Sequence, residues 1–309
     1  MQRSLRLGVL AALLTNLTGQ ASAATLTAAD ILSQFNAVIS GTFSSTSDIE
    51  GRLVAGTLAS NGSYYTPRGT AAASAFGALN FINVNAGAGG NVDNGGNVDV
   101  QGVNNGSFSF NGGGHLVNTP TFTMSDFTTP LNALSAQLFS MTANSTINSS
   151  DPNNVTFNAT AGANGIAVFT LSAVQLEAAR NLVFNFGAAT TVVVDVTGTS
   201  ADLATVNFNA TAYEDTHIIW DFGQATSLQF SGWQGTVLAP DATVSNTSAM
   251  QGDLYAANFN GGGELHDFTF QGTLPPTTTV PEPASIGLIG VALAGLAAAR
   301  RRLGRGRAK

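Results

Sequence analysis

The stretch NLVFNFGAATTVVVDVTG, Asn181 to Gly198, decides the fold. NLVFNFG alternates apolar and other residues and stops at Gly187; TTVVVDVTG is rich in β-branched residues and stops at Gly198. Period-two alternation and β-branched runs bounded by glycine read as strands, each too short for a helix. The same unit recurs outward in both directions: LNFINVNAG from Leu79, GSFSFNGG from Gly106 and NVTFNATAG from Asn154. It returns as ATVNFNATAY from Ala204, THIIWDFG from Thr216, TSLQFSG from Thr226 and HDFTFQG from His266. Many short strands separated by Gly/Asn turns give an all-β class.

Two internal echoes indicate that the strands stack as coils. GNVDNGGNVDVQG repeats NVD at Asn91–Asp93 and Asn97–Asp99, and FNGGGHL at Phe110–Leu116 returns as FNGGGEL at Phe259–Leu265. Such repeats fit a β-solenoid, or β-helix-like domain, in which each coil buries its apolar stripe on its neighbours. Asn and Gly suit the corners because both tolerate left-handed backbone angles. A β-sandwich is the alternative. Two segments read as helices. TAADILSQFNAVI from Thr27 places Ile31, Phe35 and Val38 on one face. TTPLNALSAQLFSMTA from Thr128 offers Thr129 as cap and Pro130 at the first helical position, with Leu131, Leu134, Leu138 and Met141 as an apolar stripe. That stripe predicts one helix flanking the solenoid. Asn144 to Asn164 reads as a polar surface excursion.

The ends differ from the body. Arg3 and Arg6 precede an apolar run from Leu7, and Ala21-Ser22-Ala23 supplies a cleavage pattern, so residues 1–23 read as a signal peptide cut after Ala23. The β domain then spans 24–273, a Pro/Thr-rich linker 274–280, and a separate tail 281–309. Between 24 and 280 only Arg52, Arg68 and Arg180 stand against 17 acidic residues, a net charge of −14. Nucleic-acid binding needs clustered cations, which this body lacks. With no cysteine, stability has to come from a packed core or a backbone ladder, and thiol or iron–sulfur chemistry is excluded.

The tail VPEPASIGLIGVALAGLAAARRRLGRGRAK begins at Val280. Pro281-Glu282-Pro283, the apolar run and the arginine cluster resemble the PEP-CTERM sorting signal of exopolysaccharide-producing Gram-negative bacteria. That resemblance implies recognition and processing by the membrane enzyme exosortase. The run from Ser285 to Ala299 is a short transmembrane segment, below the roughly 20 residues of a stable span. It implies transient inner-membrane association, with the arginines held on the cytoplasmic side. SDIEGRLVAGTL at Ser47–Leu58, IIWDFGQATSLQFSGWQGTVLAPDATV at Ile218–Val244 and GDLYAANFNGGGELHDFTF at Gly252–Phe270 resemble the choice-of-anchor A domain. This resemblance implies an adhesive β-helical surface domain and assigns no catalytic residue. Helix-plus-solenoid organisation is also similar to the ice-binding β-solenoid proteins.

Site chemistry is sparse. Glu264, His266 and Asp267, with His115 of the first echo, offer O/N metal ligands if the two echoes meet. In a strand Glu264 and His266 share a face and Asp267 points away; a glycine-rich corner followed by polar surface residues is the simpler reading. Asp93 and Asp99 lack the third glycine of calcium-binding nonapeptide repeats, so solenoid turns explain them better. Asp48, Glu50 and Arg52 read as a charge group at a turn. Trp220 reads as core, whereas Trp233, after Ser231-Gly232, is the candidate to stack on carbohydrate. Arg180 has no acidic cluster beside it in sequence, and neither a GxSxG element nor an HExxH helix occurs. The expectation is a non-enzymatic adhesin without cofactor at the cell surface, outer membrane or extracellular matrix, contacting exopolysaccharide or other surface proteins of a biofilm. Ice or crystal-surface binding is the first alternative, a matrix polysaccharide-modifying enzyme the second.

Overall fold

The computed structural model describes residues 26–276, apart from 68, 70, 119, 120 and 163. The expected signal segment with its cut after Ala23, and the tail with the expected Ser285–Ala299 membrane segment, lie outside the described residues. The chain divides into Met1–Leu274 and Pro275–Lys309, and the first unit is described here.

Ten strands lie along one continuous path of a parallel sheet: β1 (Ala37–Ser45), β2 (Leu53–Leu58), β3 (Leu79–Val84), β4 (Val98–Val100), β5 (Leu116–Val117), β6 (Ile166–Ser172), β7 (Thr191–Thr197), β8 (Ile218–Asp221), β9 (Thr236–Asn246) and β10 (Leu254–Gly261). Their spatial order is β6-β7-β8-β9-β10-β1-β2-β3-β4-β5, with Ser200–Leu203 and Ser227–Phe230 as additional members. The chain therefore starts in the middle, coils outward to β5, crosses over, and coils back from β6 until β10 docks beside β1. Ala37 of β1 stands between Leu53 and Leu254. Shorter sheets close the coils. On one further side, Trp233–Gln234, Met250–Gln251 and Leu265–His266 stack in parallel, as do Asn61–Tyr64, Gly89–Val92 and Ser107–Phe110. Ile49 bridges the two groups by pairing with both Leu265 and Tyr64. This parallel, coiled architecture is the β-helix-like class, not a sandwich of antiparallel sheets.

The sheet is covered on both faces, which explains the unbroken run in β7. Val192, Val194 and Val196 point into the solenoid with Phe157, Phe169 and Trp220. Val193 points outward, into a second core with Ile219, Leu238 and Tyr255 that two helices cover. Strands buried on both faces read as continuous hydrophobic runs. Among the described residues, both cores are built between Leu26 and Leu274.

The helices begin and end differently from the sequence expectation. α1 (Ala28–Gln34) is capped by Thr27 and Asp30 in a reciprocal box and stops there. Phe35 is already extended, and the N–H groups of Asn36 and Ala37 bond to the Arg52 carbonyl, so Val38 belongs to β1. Ile31, Phe35 and Val38 still meet in the outer core. α2 (Ser125–Phe139) starts a turn earlier than expected, where the Asp126 carboxylate accepts from the Thr123 N–H at 2.7 Å. Thr129 is thus not its cap, and Pro130 lies inside it. Leu131, Leu134 and Leu138 are buried; Met141 packs on the core just beyond its end. Phe35 and Phe127 join α1 to α2 edge to face at 5.2 Å.

Two stretches depart from the sequence expectation, although Val155–Asn158 falls within the NVTFNATAG run read above as a strand. The 144–164 excursion contains Thr146–Asn148, antiparallel to Val155–Asn158, and Phe157 there is fully buried. Just before it, Asn144 covers the free edge of β6: its Oδ1 accepts from the Val168 N–H at 2.8 Å and its Nδ2 donates to the Ile166 carbonyl at 3.1 Å. The HDFTFQG segment leaves the sheet after His266, because the Phe270 N–H is taken by the Asp253 side chain at 2.9 Å.

Candidate functional site

Parallel stacking converts scattered Ser, Thr and Asn residues into rows. Ser200 stands beside Ser227, Ser227 beside Thr243, and Thr243 beside Asn258. The row continues on the other side of the β10–β1 seam, where Thr42 stands beside Thr57 and Thr57 beside Asn83. The two halves join directly, since the Thr42 N–H donates to Asn258 Oδ1 at 2.9 Å. All seven side chains are exposed or half-buried, while their strand neighbours Leu228, Val244, Phe259 and Phe43 are buried. Alternation in the strand thus presents a ladder of neutral polar groups, one rung every ~4.8 Å. A second row follows two residues on, through Asp202, Gln229 and Ser245. On another side of the coil Asn185 Nδ2 donates to Asn158 Oδ1 at 2.9 Å, again across neighbouring coils. No single stretch of sequence displays these rows, because each rung lies in a different coil.

The seam holds the candidate metal ligands. Ile49 pairs with Leu265, the Glu50 N–H bonds to the Leu265 carbonyl, and the Leu265 N–H bonds to the Asp48 carbonyl. That register places Glu50 against Glu264 and His266. His266 Nε2 lies 2.7 Å from Glu264 Oε2 and 4.0 Å from Glu50 Oε1. One ligand atom from each of the three lies within 4.8 Å of the others, so the group could hold a borderline divalent metal. Internal hydrogen bonding also accounts for it. Glu264 already engages the imidazole, and Glu50 Oε2 accepts from the Asp267 N–H at 3.1 Å. His115 does not join. Its backbone bonds to Asn97 Oδ1 and to Val98 in the outermost coils at the β5 end, so the two FNGGG echoes do not meet. Glu50 is the ligand that sequence reasoning missed; SDIEGR showed a charge group but not which coil it would face.

Asp267 turns away from this group and is buried. Burial pushes its carboxyl up to about 6, a rise that Arg52 opposes and Glu50 reinforces. Beside it Asn36, fully buried, ties both halves of the molecule together. Its Nδ2 donates to the Gly252 carbonyl at 3.0 Å and the His266 carbonyl at 2.9 Å, and its Oδ1 accepts from the Gly51 N–H at 3.2 Å.

The remaining candidates resolve by burial. Trp220 is core as expected, its Nε1 donating to the Gln234 carbonyl at 2.9 Å. Trp233 is not available for sugar stacking: it is 1% exposed. The chain after Gly232 enters a short strand paired with Met250–Gln251, whose alternation sends the indole inward, 4.9 Å from the Trp220 ring. Asp93 accepts from Asn111 Nδ2, while Asp99 is buried and accepts from Gln101 Nε2, so they do not share a calcium turn. Arg52 donates to the Gln34 and Ala72 carbonyls and Arg180 to Thr205, so neither belongs to a basic patch among the described residues.

Two family models match the chain. Residues 28–267 match the family model described as "Putative Ice-binding-like adhesive domain". Residues 279–302 match the PEP-CTERM protein-sorting motif, which marks a chain for export and surface sorting. No curated protein matches the chain. Among solved structures, an ice-binding protein from the Antarctic ascomycete Antarctomyces psychrotrophicus aligns with 12% identity and a TM-score of 0.43, over 81% of this chain and 100% of that one. With 240 of its residues inside the family match, the chain belongs to the ice-binding-like adhesive domain family.

Proposed function

We propose that the chain is a non-enzymatic surface adhesin that contacts exopolysaccharide, or other surface proteins, through the ladder running from Ser200 to Asn83. The ladder is the observation that supports this reading. Each rung offers a hydroxyl or amide on a rigid strand, and regular spacing lets many weak contacts act together, so avidity replaces a deep pocket. Absence of charge along the first row allows approach to an anionic polymer despite the acidic body. The choice-of-anchor A resemblance, exosortase processing at Pro281-Glu282-Pro283 and a final position at the outer membrane or in the matrix belong to the same reading. No helix among the described residues is long and apolar enough to cross a membrane.

The test is co-sedimentation of residues 24–280 with isolated matrix polysaccharide and with cells. Ser227→Trp with Thr243→Trp should abolish binding while leaving the circular dichroism unchanged. Binding to neither material would remove the proposal. The ladder also favours a second reading, adsorption to ice or another crystal, which thermal hysteresis would reveal. Release of sugars from native exopolysaccharide would favour the polysaccharide-modifying alternative instead.

A further inference from the structure

On the helix side of the sheet lies a pair of buried acids that neither the adhesive face nor the seam explains. Asp195 of β7 and Asp221 of β8 are register partners on adjacent strands. Both point outward, since they alternate with Val194 and Trp220, which face the solenoid interior. Asp195 is 2% exposed and Asp221 is fully buried beneath α2. Ser135 of α2 donates to Asp221 Oδ1 at 2.7 Å. Neither oxygen of Asp195, nor Oδ2 of Asp221, has a hydrogen-bond partner among the described residues. An unpaired buried polar atom costs about 1–3 kcal/mol, more when charged, so three on adjacent residues require a reason.

A cavity of about 460 Å³ lies on the far side of Ser135 and Gly223, lined by these two with Asn132, Gln224 and Asp241 among others. Gly223, whose backbone N–H bonds to the Asp221 carboxyl, separates the cavity from the pair. A Cβ there would stand 2.7 Å from Ser135 Oγ and 3.4 and 3.8 Å from the two Asp221 oxygens. Glycine thus leaves only backbone between the cavity and the buried carboxylate, where any side chain would crowd both Ser135 and Asp221.

We propose that Asp195, Asp221 and Ser135 bind a hard divalent cation, of the calcium class, that enters through the cavity beside Gly223. The donors are all oxygen: four carboxylate atoms and one hydroxyl, the chemistry that a hard divalent cation takes. Sulfur and imidazole are absent from the set, which disfavours softer metals. Burial pushes Asp195 up to about 8, with repulsion from Asp221 adding to it, and burial pushes Asp221 up to about 7. A cation between the two removes that repulsion and satisfies the orphaned oxygens. It also joins α2, the element crossing between the two half-solenoids, to two strands of the returning half.

The experiment uses purified residues 24–280, stripped with chelator and then titrated with CaCl2, MgCl2 or, as control, KCl. At a hundredfold excess over Kd, calcium or magnesium should raise Tm by roughly 5–10 °C, and potassium should not. Asp195→Asn with Asp221→Asn removes the buried charge and should melt no lower than the chelated wild type, with no response to either cation. Gly223→Val should respond weakly, because a Cβ there meets Ser135 Oγ at 2.7 Å and crowds the Asp221 carboxyl. If neither divalent cation binds by calorimetry, the pair shares a proton instead and the proposal is overturned. It is equally overturned if the double variant keeps the full response, which would place the ion at Glu50, Glu264 and His266.

Discussion

Replacing Asn36 with alanine tests how the two halves of the solenoid are joined. The side chain makes three hydrogen bonds and is fully buried. The His266 carbonyl keeps the Phe268 N–H at 3.0 Å, so it is not orphaned. The Gly51 N–H and the Gly252 carbonyl lose the partner that Asn36 supplies. Two buried backbone groups at about 1–3 kcal/mol each predict a loss of roughly 2–6 kcal/mol, before any contribution from the small cavity. Urea unfolding of residues 24–280 reads this directly, because Trp220 and Trp233 are both buried and report loss of the core by fluorescence. With m of ~3 kcal/mol/M, the midpoint should fall by about 0.7–2 M without a change in m. A fall below about 0.3 M would show that strand pairing alone closes the seam, and would refute the role given to this amide.

Three further outcomes follow from other parts of the molecule. Gly90 has φ +128°, and a Cβ there would stand 2.0 Å from the Gly62 carbonyl oxygen, whereas Gly113, at φ +92°, has open space around it. Gly90→Ala should therefore lower Tm by several times the change in Gly113→Ala, which meets only a backbone penalty of about 1 kcal/mol. Asn144→Ala leaves the Val168 N–H on the edge of β6 without its partner, while the Ile166 carbonyl keeps the Gly162 N–H at 3.0 Å; it should cost about 1–3 kcal/mol and increase aggregation measured by light scattering. In chelator, stability should decline from pH 5 to pH 8. Asp267 at about 6, Asp215 and Asp221 at about 7 and Asp195 at about 8 all lie above their unfolded value of 3.8, mainly through burial. Between these limits the native state holds more protons than the unfolded chain, so raising pH favours unfolding by up to about 1.4 kcal/mol per proton and pH unit. A Tm that rises across this window contradicts the burial of these acids.

The sequence shows the coil but not its path. Runs such as NLVFNFG and TTVVVDVTG announce strands because their period and their glycines are local. Burial on both faces is also legible, in the unbroken β-branched run of β7. What places β1 between β10 and β2 is a pairing across more than 200 residues, and nothing near Ala37 announces it. The same gap hid the functional geometry. Glu264 and His266 are adjacent enough in sequence to be read together, but Glu50 reaches them only through the Ile49–Leu265 pairing. The Trp233 expectation failed for a related reason. A Ser-Gly pair signals a turn, yet which way the next side chain points depends on the strand it then joins.

The position of β1 has a consequence for biogenesis. Strands β1 to β5 emerge first, but the inner edge of β1 stays open until β10 is made, and β10 ends only about 20 residues before Pro281. Such a long-range closure makes for high contact order and slow folding. The first half of the chain would therefore expose a bare parallel edge throughout synthesis, a hazard for self-association. Exporting the polypeptide unfolded, and completing the ladder only when nearly all of it has crossed the membrane, avoids that hazard. The architecture makes late folding a requirement of the chain order itself.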